Sequence, residues 1–546
     1  MENQFPSLNA EASRYEKPKG VTLKYGTAGF RMKASLMEST AFRMGLLATI
    51  RSRHQNNAAI GICMTASHNP EQDNGIKIAD PDGGVLHMSW EKHCGRLANA
   101  DDVAKAVSEI SEEENVKHNK GSGVVFVARD TRKSGEKLVE LAREAALLLR
   151  GNVVDYGVLT TPQLHQMVRF YNKGDKDAAT ESGYFKRLGD SFRRMIATTP
   201  KENEKKKRGA LVLDGAHGVG AKKCKKMQEA LGSTLKLELR NDVGAGALNK
   251  DCGADHVYRK KVPPHGVKKT TDAMRRMASF DGDADRVVYH YFDKSGEWHL
   301  LDGDKIAALF ADFLGKEVKA LGLSDDAAPT LAIVQNSYAN GASTSFMKDK
   351  MGVPVRFGKT GVKHLHKIAH QFDIGVYFEA NGHGTVLFSK RFDELLLRLQ
   401  SSKDESAETK RAVERLSAAR MMINQCTSCC VRFEILRNLH SRRALSMGYE
   451  ELKICNINLT LLCSSLLDFS TRRGLFRVLY YFSLSFVCRH FTQNNQSLHT
   501  KDSLHTTQTH THNHRQPWET HSVICCLLKQ YYTYADGPSP IGTRFT

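Results

Sequence analysis

"ICMTASHNPEQDNGIKI" (62–78) sets an apolar run against a turn and then resumes an apolar run beyond Lys77. A run without polar alternation reads as a strand buried on both faces, and Asn69-Pro70 reads as the turn at its end. Ser67 stands at the mouth of that turn, with His68 beside it and Lys77 ten residues on. A serine hydroxyl is a poor nucleophile without a base, a metal or prior chemistry. No Gly-x-Ser-x-Gly elbow surrounds Ser67, which argues against a hydrolase triad. The neighbours, cationic or hydrogen-bond-donating, suit a phosphate better. A plain turn hydroxyl is the competing reading.

The pattern of strand and polar loop recurs along the chain. "GVVFVA" (123–128) runs into "RDTRKSG", "GALVLD" (209–214) into "GAHGVG", and "RRMASF" (275–280) into "DGDADR". "TLAIVQ" (330–335) runs into "NSYANG", and "DIGVYF" (373–378) into "EANGHG". Helical stretches often follow. This predicts an α/β protein with buried mixed or parallel sheets, and ligand loops at the carboxyl ends of strands. The helical "EKLVELAREAALLLRG" (136–151) is expected to be capped by Gly151. Domains are expected at 1–185, 186–299 and 300–424, the last closed by a helix with a charged break over 391–425.

Net charge is +19, with an isoelectric point near 9.3. The basic residues are scattered, which fits small anionic substrates at least as well as nucleic acid. The densest run, "KENEKKKRG" (201–209), reads as a solvated linker, with nucleic-acid or nuclear-import function as the alternative. No apolar run of membrane-spanning length occurs, and the first twenty residues hold no signal-peptide core, so the expected location is the cytoplasm, with no membrane and no nucleic acid as partner. Four of the twelve cysteines serve the first 425 residues, and none of the rest forms paired zinc-type spacings.

Three carboxylates at i, i+2 and i+4 in "FDGDADR" (280–286) can converge on one hard cation, Mg²⁺ or Ca²⁺. An EF-hand is excluded: counting from Asp281, position six is Arg286 rather than glycine and position twelve is Phe292 rather than glutamate. A solvated turn is the alternative for the acidic loop on its own. "FEANGHGTVLFS" (378–389) places Glu379, Asn381 and His383 among small residues that let a ligand approach, although a structural turn explains it equally well.

"TASHNP…NGIKI", "DGDADR" and "FEANGHG", in this order, resemble the α-D-phosphohexomutase superfamily. "YGTAGFR" (25–31), "KTGVKHLH" (359–366) and "EANGHGT" (379–385) are similar to its phosphoacetylglucosamine mutase family, over about residues 20–424. The resemblance implies four domains around a cleft. It also implies interconversion of N-acetylglucosamine 6-phosphate and 1-phosphate for UDP-N-acetylglucosamine synthesis. Ser67 would carry the phosphate, and Asp281, Asp283 and Asp285 with that phosphate would hold Mg²⁺. Lys77 would act as general acid or base, and Arg31 and His68 would steady the phosphoryl group. Glu379, Ala380, Asn381, Gly382, Arg286, Lys363 and His364 would line the substrate site. A glucose- or N-acetylglucosamine-1,6-bisphosphate would prime a monomeric enzyme. Two rivals stay open: a mutase for another hexose phosphate, and a non-catalytic sugar-phosphate-binding isoform.

Residues 425–546 depart from this pattern. The family's fourth domain carries an Arg-Pro-Ser-Gly-Thr-type loop for the non-reacting phosphate. "GPSPIGTRFT" (537–546) offers a Gly-Thr with no arginine before it. "HTTQTHTHNH" (505–514) alternates as a translated CA repeat would, and a metal-binding histidine tract is the alternative. The segment is therefore expected to be an irregular, disordered tail in place of the fourth domain, read from sequence not selected as protein. An unbroken ordinary exon across residue 425 in the genomic locus would remove that origin.

Overall fold

The computed structural model describes residues 7–27, 29–117, 121–198 and 209–423. The tail expected in place of a fourth domain and most of the basic run at 201–209 lie outside the described residues. Among the described residues no helix is long and apolar enough to cross a membrane.

Fourteen described strands form three mixed sheets. The first holds β1 (Phe30–Lys33), β2 (Ala59–Met64), β3 (Asp73–Ala79), β4 (Val124–Arg129) and β5 (Asn152–Val158), in the order β1-β3-β2-β4-β5. The second holds β6 (Leu211–Asp214), β7 (Leu237–Arg240), β8 (Arg276–Phe280), β9 (Val287–Phe292) and β10 (Trp298–Leu301), in the order β10-β9-β8-β6-β7. The third holds β11 (Leu331–Asn336), β12 (Val355–Gly358), β13 (Ile374–Phe378) and β14 (Gly384–Phe388), in the order β12-β11-β13-β14.

One plan underlies all three. A parallel trio (β2-β4-β5, β8-β6-β7, β13-β11-β12) is extended by an antiparallel partner that follows its first-named strand in the chain. The three loops singled out in the sequence are these hairpin connections: β2 to β3, β8 to β9 and β13 to β14. They sit at carboxyl ends of parallel strands, yet each leads into an antiparallel strand. Every residue of β2, β6 and β13 is buried, as their unbroken apolar character requires.

Two large cores divide the structure. One is built from residues between Leu8 and Leu149, with the helices Glu38–His54 and Gly135–Leu148 against the first sheet. The other runs from Phe185 to Ile423 and joins the second and third sheets. The expected break at 185 falls inside the helix Glu181–Ala197, whose Phe185, Leu188, Phe192 and Met195 enter this second core. Within 181–197 the polar, basic look comes from the other face of that helix. The break at 299 likewise cuts β10. The closing helix is two helices, Lys390–Ser401 and Ala407–Ile423, with the charged break between them. Arg194 pairs with both carboxylate oxygens of Glu414 at 2.7 and 2.9 Å, tying the last described helix to Glu181–Ala197.

The cap expected at Gly151 is one residue out. The left-handed residue is Arg150 (φ +55°), whose N–H reaches Leu147 O while Gly151 N–H reaches Ala146 O. That is a Schellman ending with Gly151 one position beyond it. Glycine is needed there because a Cβ would stand 2.8 Å from Ala146 O.

Candidate active site

The three hairpin loops meet. Ser67 Oγ donates to Asp283 Oδ2 at 3.2 Å across 216 residues of sequence, and Arg31 Nη2 donates to Ser67 Oγ at 3.3 Å from β1. Lys77, on β3 opposite Cys63, donates to Asp283 Oδ2 at 2.6 Å and to Asp285 Oδ2 at 2.5 Å. Contact extends to the backbone. A Cβ on Gly282 would stand 2.5 Å from Ser67 O, so only glycine lets these two loops touch. Between the second and third loops, Arg286 and His383 form a β-bridge. Gly382 sits there at φ +87°, where a Cβ would be 2.2 Å from Val287 O.

Ser67 itself has φ +51°, a conformation that costs a side-chain-bearing residue about 1–2 kcal/mol. Its surroundings hold it there. Its N–H donates to Thr65 Oγ1 at 3.0 Å, and its carbonyl accepts from Arg132 Nη2 at 3.1 Å and Asn249 Nδ2 at 2.9 Å. Arg132 is fully buried, pairs with Asp130 at 3.0 Å, and also donates to the carbonyls of Asn69, Pro70 and Asp73. One guanidinium thus fastens the whole turn from inside.

Asp281, Asp283 and Asp285 each present a carboxylate oxygen within 4.8 Å of the others. Asp281 Oδ2, Asp283 Oδ1 and Asp285 Oδ1 are buried and accept no hydrogen bond from a described residue. Three clustered carboxylates, each with one buried and unpartnered oxygen, could hold a hard divalent cation. The charges behave accordingly. Burial, then Asp285 and Asp283, push the Asp281 carboxyl well above its ordinary range. Burial acts the same way on Asp285, but His383, Lys77 and Arg286 outweigh it and hold that carboxyl well below. Burial lowers the Lys77 ammonium, and the Asp283 and Asp285 carboxylates more than reverse this.

Of the two readings of His68, cation or neutral donor, its surroundings favour the second. Burial, with Arg286 and Arg31 nearby, pushes its imidazole down to about 2, and its Nδ1 is buried without a partner. Arg286 Nη1 binds Asp255 at 3.1 Å and stands 3.8 Å through Nε from Asp281. In the third loop Glu379 accepts from Gly361 N–H at 3.1 Å, Asn381 Oδ1 accepts from His383 N–H at 2.9 Å, and Ala380 O accepts from Gly303 N–H at 3.0 Å. Lys363 is engaged elsewhere: both oxygens of Glu91 hold it at 2.7 and 2.8 Å, joining the Val362–Ala369 helix to the first core's Glu91–Asn99 helix. His364 lies half-buried on the same helix.

Several residues here carried no role in the sequence reading. Thr161 Oγ1 donates to Asp283 Oδ2 at 2.6 Å, and its N–H reaches Asp283 O at 3.2 Å. Thr161 opens the helix Thr161–Asn172, whose capping box at Thr160 and Gln163 was a legible start signal. His383, which the sequence did single out with the third loop, has its Nε2 3.9 Å from Asp285. Arg132 and Asn249 could be found only by tertiary contact. The four described cysteines are free and buried, and burial pushes the Cys63 thiol beneath the site up to about 12, so it is inert.

Comparison with known proteins agrees with this geometry. Residues 46–105 match the family model for phosphoglucomutase/phosphomannomutase, alpha/beta/alpha domain I. Residues 175–288 and 302–431 match domains II and III of phosphoacetylglucosamine mutase AMG1. The phosphoacetylglucosamine mutase of Sus scrofa is 45% identical over 424 residues, 77% of this chain and 76% of that protein. That of Arabidopsis thaliana is 45% identical over 442 residues, 78% of each. The crystal structure of Aspergillus fumigatus N-acetylphosphoglucosamine mutase in complex with GlcNAc-6P and magnesium superposes with a TM-score of 0.73 at 37% identity, covering 80% of each chain. With three site loops in one crevice and this extent of likeness, the chain belongs to the phosphoacetylglucosamine mutase family.

Proposed function

We propose that this chain interconverts N-acetylglucosamine 6-phosphate and N-acetylglucosamine 1-phosphate through a phosphorylated Ser67 and a 1,6-bisphosphate, supplying UDP-N-acetylglucosamine synthesis. The observation that carries the reading is the meeting of the Ser67 hydroxyl with Asp283, beside three unpartnered carboxylate oxygens. Family relatives with bound magnesium and with bound glucose 1,6-bisphosphate support Mg²⁺ and a bisphosphate primer for this chain.

Asp281, Asp283, Asp285 and the Ser67 phosphate would hold the Mg²⁺. The ion adds positive charge beside the group in transfer. The chain's own residues do the rest. Arg132 and Asn249 hold the Ser67 backbone so that its oxygen faces the crevice. Arg31 reaches the same oxygen and neutralises developing charge. Lys77 moves a proton to or from the sugar oxygen, His68 donates to the phosphoryl group, and Glu379 and Asn381 orient sugar hydroxyls. Ala380 and Gly382 keep the third loop close to the sugar. Arg286 and His364 complete the proposed substrate surface, and Lys363 would join it by exchanging Glu91 for the substrate. The proposed domains, expected at 1–185, 186–299 and 300–424, follow the three sheets, with the breaks set at the nearest element ends, before the helix Glu181–Ala197 and after β10. The protein works as a cytoplasmic monomer on small sugar phosphates, with neither nucleic acid nor membrane as partner.

Residues 425–546 contain no Arg-Pro-Ser-Gly-Thr-type loop, which favours a second reading in which turnover is impaired or absent. Charge-assisted hydrogen bonds contribute about 1.5–3 kcal/mol each, so losing two or three costs roughly 3–9 kcal/mol of transition-state binding. One assay addresses both readings: conversion of N-acetylglucosamine 6-phosphate with Mg²⁺ and a trace of glucose 1,6-bisphosphate. Conversion abolished by Ser67→Ala, with substrate binding retained, is the expected result. Equal rates in that variant would overturn the role of Ser67, and binding without turnover in the unaltered chain would establish the second reading.

A further inference from the structure

We propose a second metal site, away from the acidic loop: His366 and His370 form a two-imidazole chelate for a borderline divalent cation of the Zn²⁺ type. His366 lies in the helix Val362–Ala369, and His370 extends it with helical dihedrals, its N–H bonded to His366 O at 3.1 Å. The i, i+4 spacing puts both rings on one face, the arrangement used where two helical histidines share zinc. Their Nε2 atoms converge to 2.9 Å, and Nδ1 of His366 is hydrogen-bonded to Tyr377 Oη at 2.9 Å. A partner on the outer nitrogen fixes the ring and leaves the inner lone pair for a ligand.

Two zinc–nitrogen bonds of about 2.0–2.1 Å at a tetrahedral angle need the nitrogens about 3.3 Å apart, so a small opening of the pair admits the ion. Burial lowers both imidazoles, His366 to about 4; His370 adds to the effect on His366, and Arg169 adds to it on His370, while Asp82 offsets both in part. Both rings are therefore neutral at physiological pH, the form that ligates. The ring of His370 is exposed, which leaves the remaining coordination positions open to water. Imidazole nitrogen selects against Mg²⁺, which keeps to the oxygen ligands of the aspartate loop.

The test is residue-resolved, because the tail at 505–514 is itself histidine-rich. The full chain, in excess Mg²⁺, is labelled with diethyl pyrocarbonate with and without Zn²⁺, and each histidine is read by peptide mass spectrometry. Zn²⁺ should protect His370 several-fold. His366→Gln should remove that protection, with folding checked by circular dichroism. Tyr377→Phe, which keeps both ligands, should raise the half-protecting Zn²⁺ concentration about tenfold. Equal labelling of His370 with and without Zn²⁺, or protection unchanged in His366→Gln, would show an ordinary imidazole–imidazole hydrogen bond and overturn the site.

Discussion

The Ser67 loop and the Glu379–His383 loop occupy the same position in their sheets, each joining the carboxyl end of a buried parallel strand to an antiparallel neighbour. Their construction differs. The first holds a left-handed serine in place with a buried arginine, an asparagine from the second unit and a threonine of its own. The third turns through Gly382 and spends the Asn381 carbonyl on its own backbone. Under the proposed function the difference follows from what each loop would present. A reacting oxygen has to be fixed to a fraction of an ångström, and that requires support from several elements. A sugar-facing loop needs room, and small residues provide it.

That contrast can be broken in graded steps. Arg132→Met leaves Asp130 buried without its partner and should cost about 3–5 kcal/mol of stability in denaturant titration. A loss under 1 kcal/mol would mean that the turn holds without its internal fastening. Asp283→Asn removes a carboxylate shared by Ser67, Lys77 and Thr161. It should weaken Mg²⁺ binding, read calorimetrically, by about 100-fold or more, the upper range for losing even an outer-shell partner. Unchanged affinity would place the cation elsewhere. Gly382→Ala forces a Cβ against Val287 O and strains the backbone by about 1–3 kcal/mol. It should raise KM for the sugar phosphate more than it lowers phosphorylation of Ser67 by a bisphosphate donor. Equal effects on both would contradict the division of labour. Thr161→Val deletes one hydrogen bond to Asp283 and should lower kcat only several-fold, about 1 kcal/mol. A hundredfold loss would promote Thr161 to direct contact with substrate.

Much of this arrangement was legible one loop at a time. Unalternating apolar runs marked β2, β8 and β13, and polar residues after them marked the loops. The spacing of Asp281, Asp283 and Asp285 indicated a cation before any coordinates did. The features that escaped are those that need two distant segments. Arg132 reads as an ordinary loop cation until its burial is known, and Asn249 lies 182 residues from the carbonyl it binds. The neutral state of His68 follows from burial among arginines, which no local pattern encodes. The break at 185 falls within a helix because a helix with one wet face is polar on average, while its dry face decides which core it joins.

The common plan of the sheets has one more consequence. In the second and third the chain lays down the parallel pairs β6-β7 and β11-β12 before the hairpin, whereas in the first the hairpin precedes β4 and β5. The first is a circular rearrangement of the other two. Spatial neighbourhood outlasts a change in the order of connection, so a linear alignment of one repeat upon another slips out of phase while superposed strands still correspond. Kinship among the three units is therefore visible in space and hidden along the chain, and each copy could diversify its loop without renegotiating its scaffold.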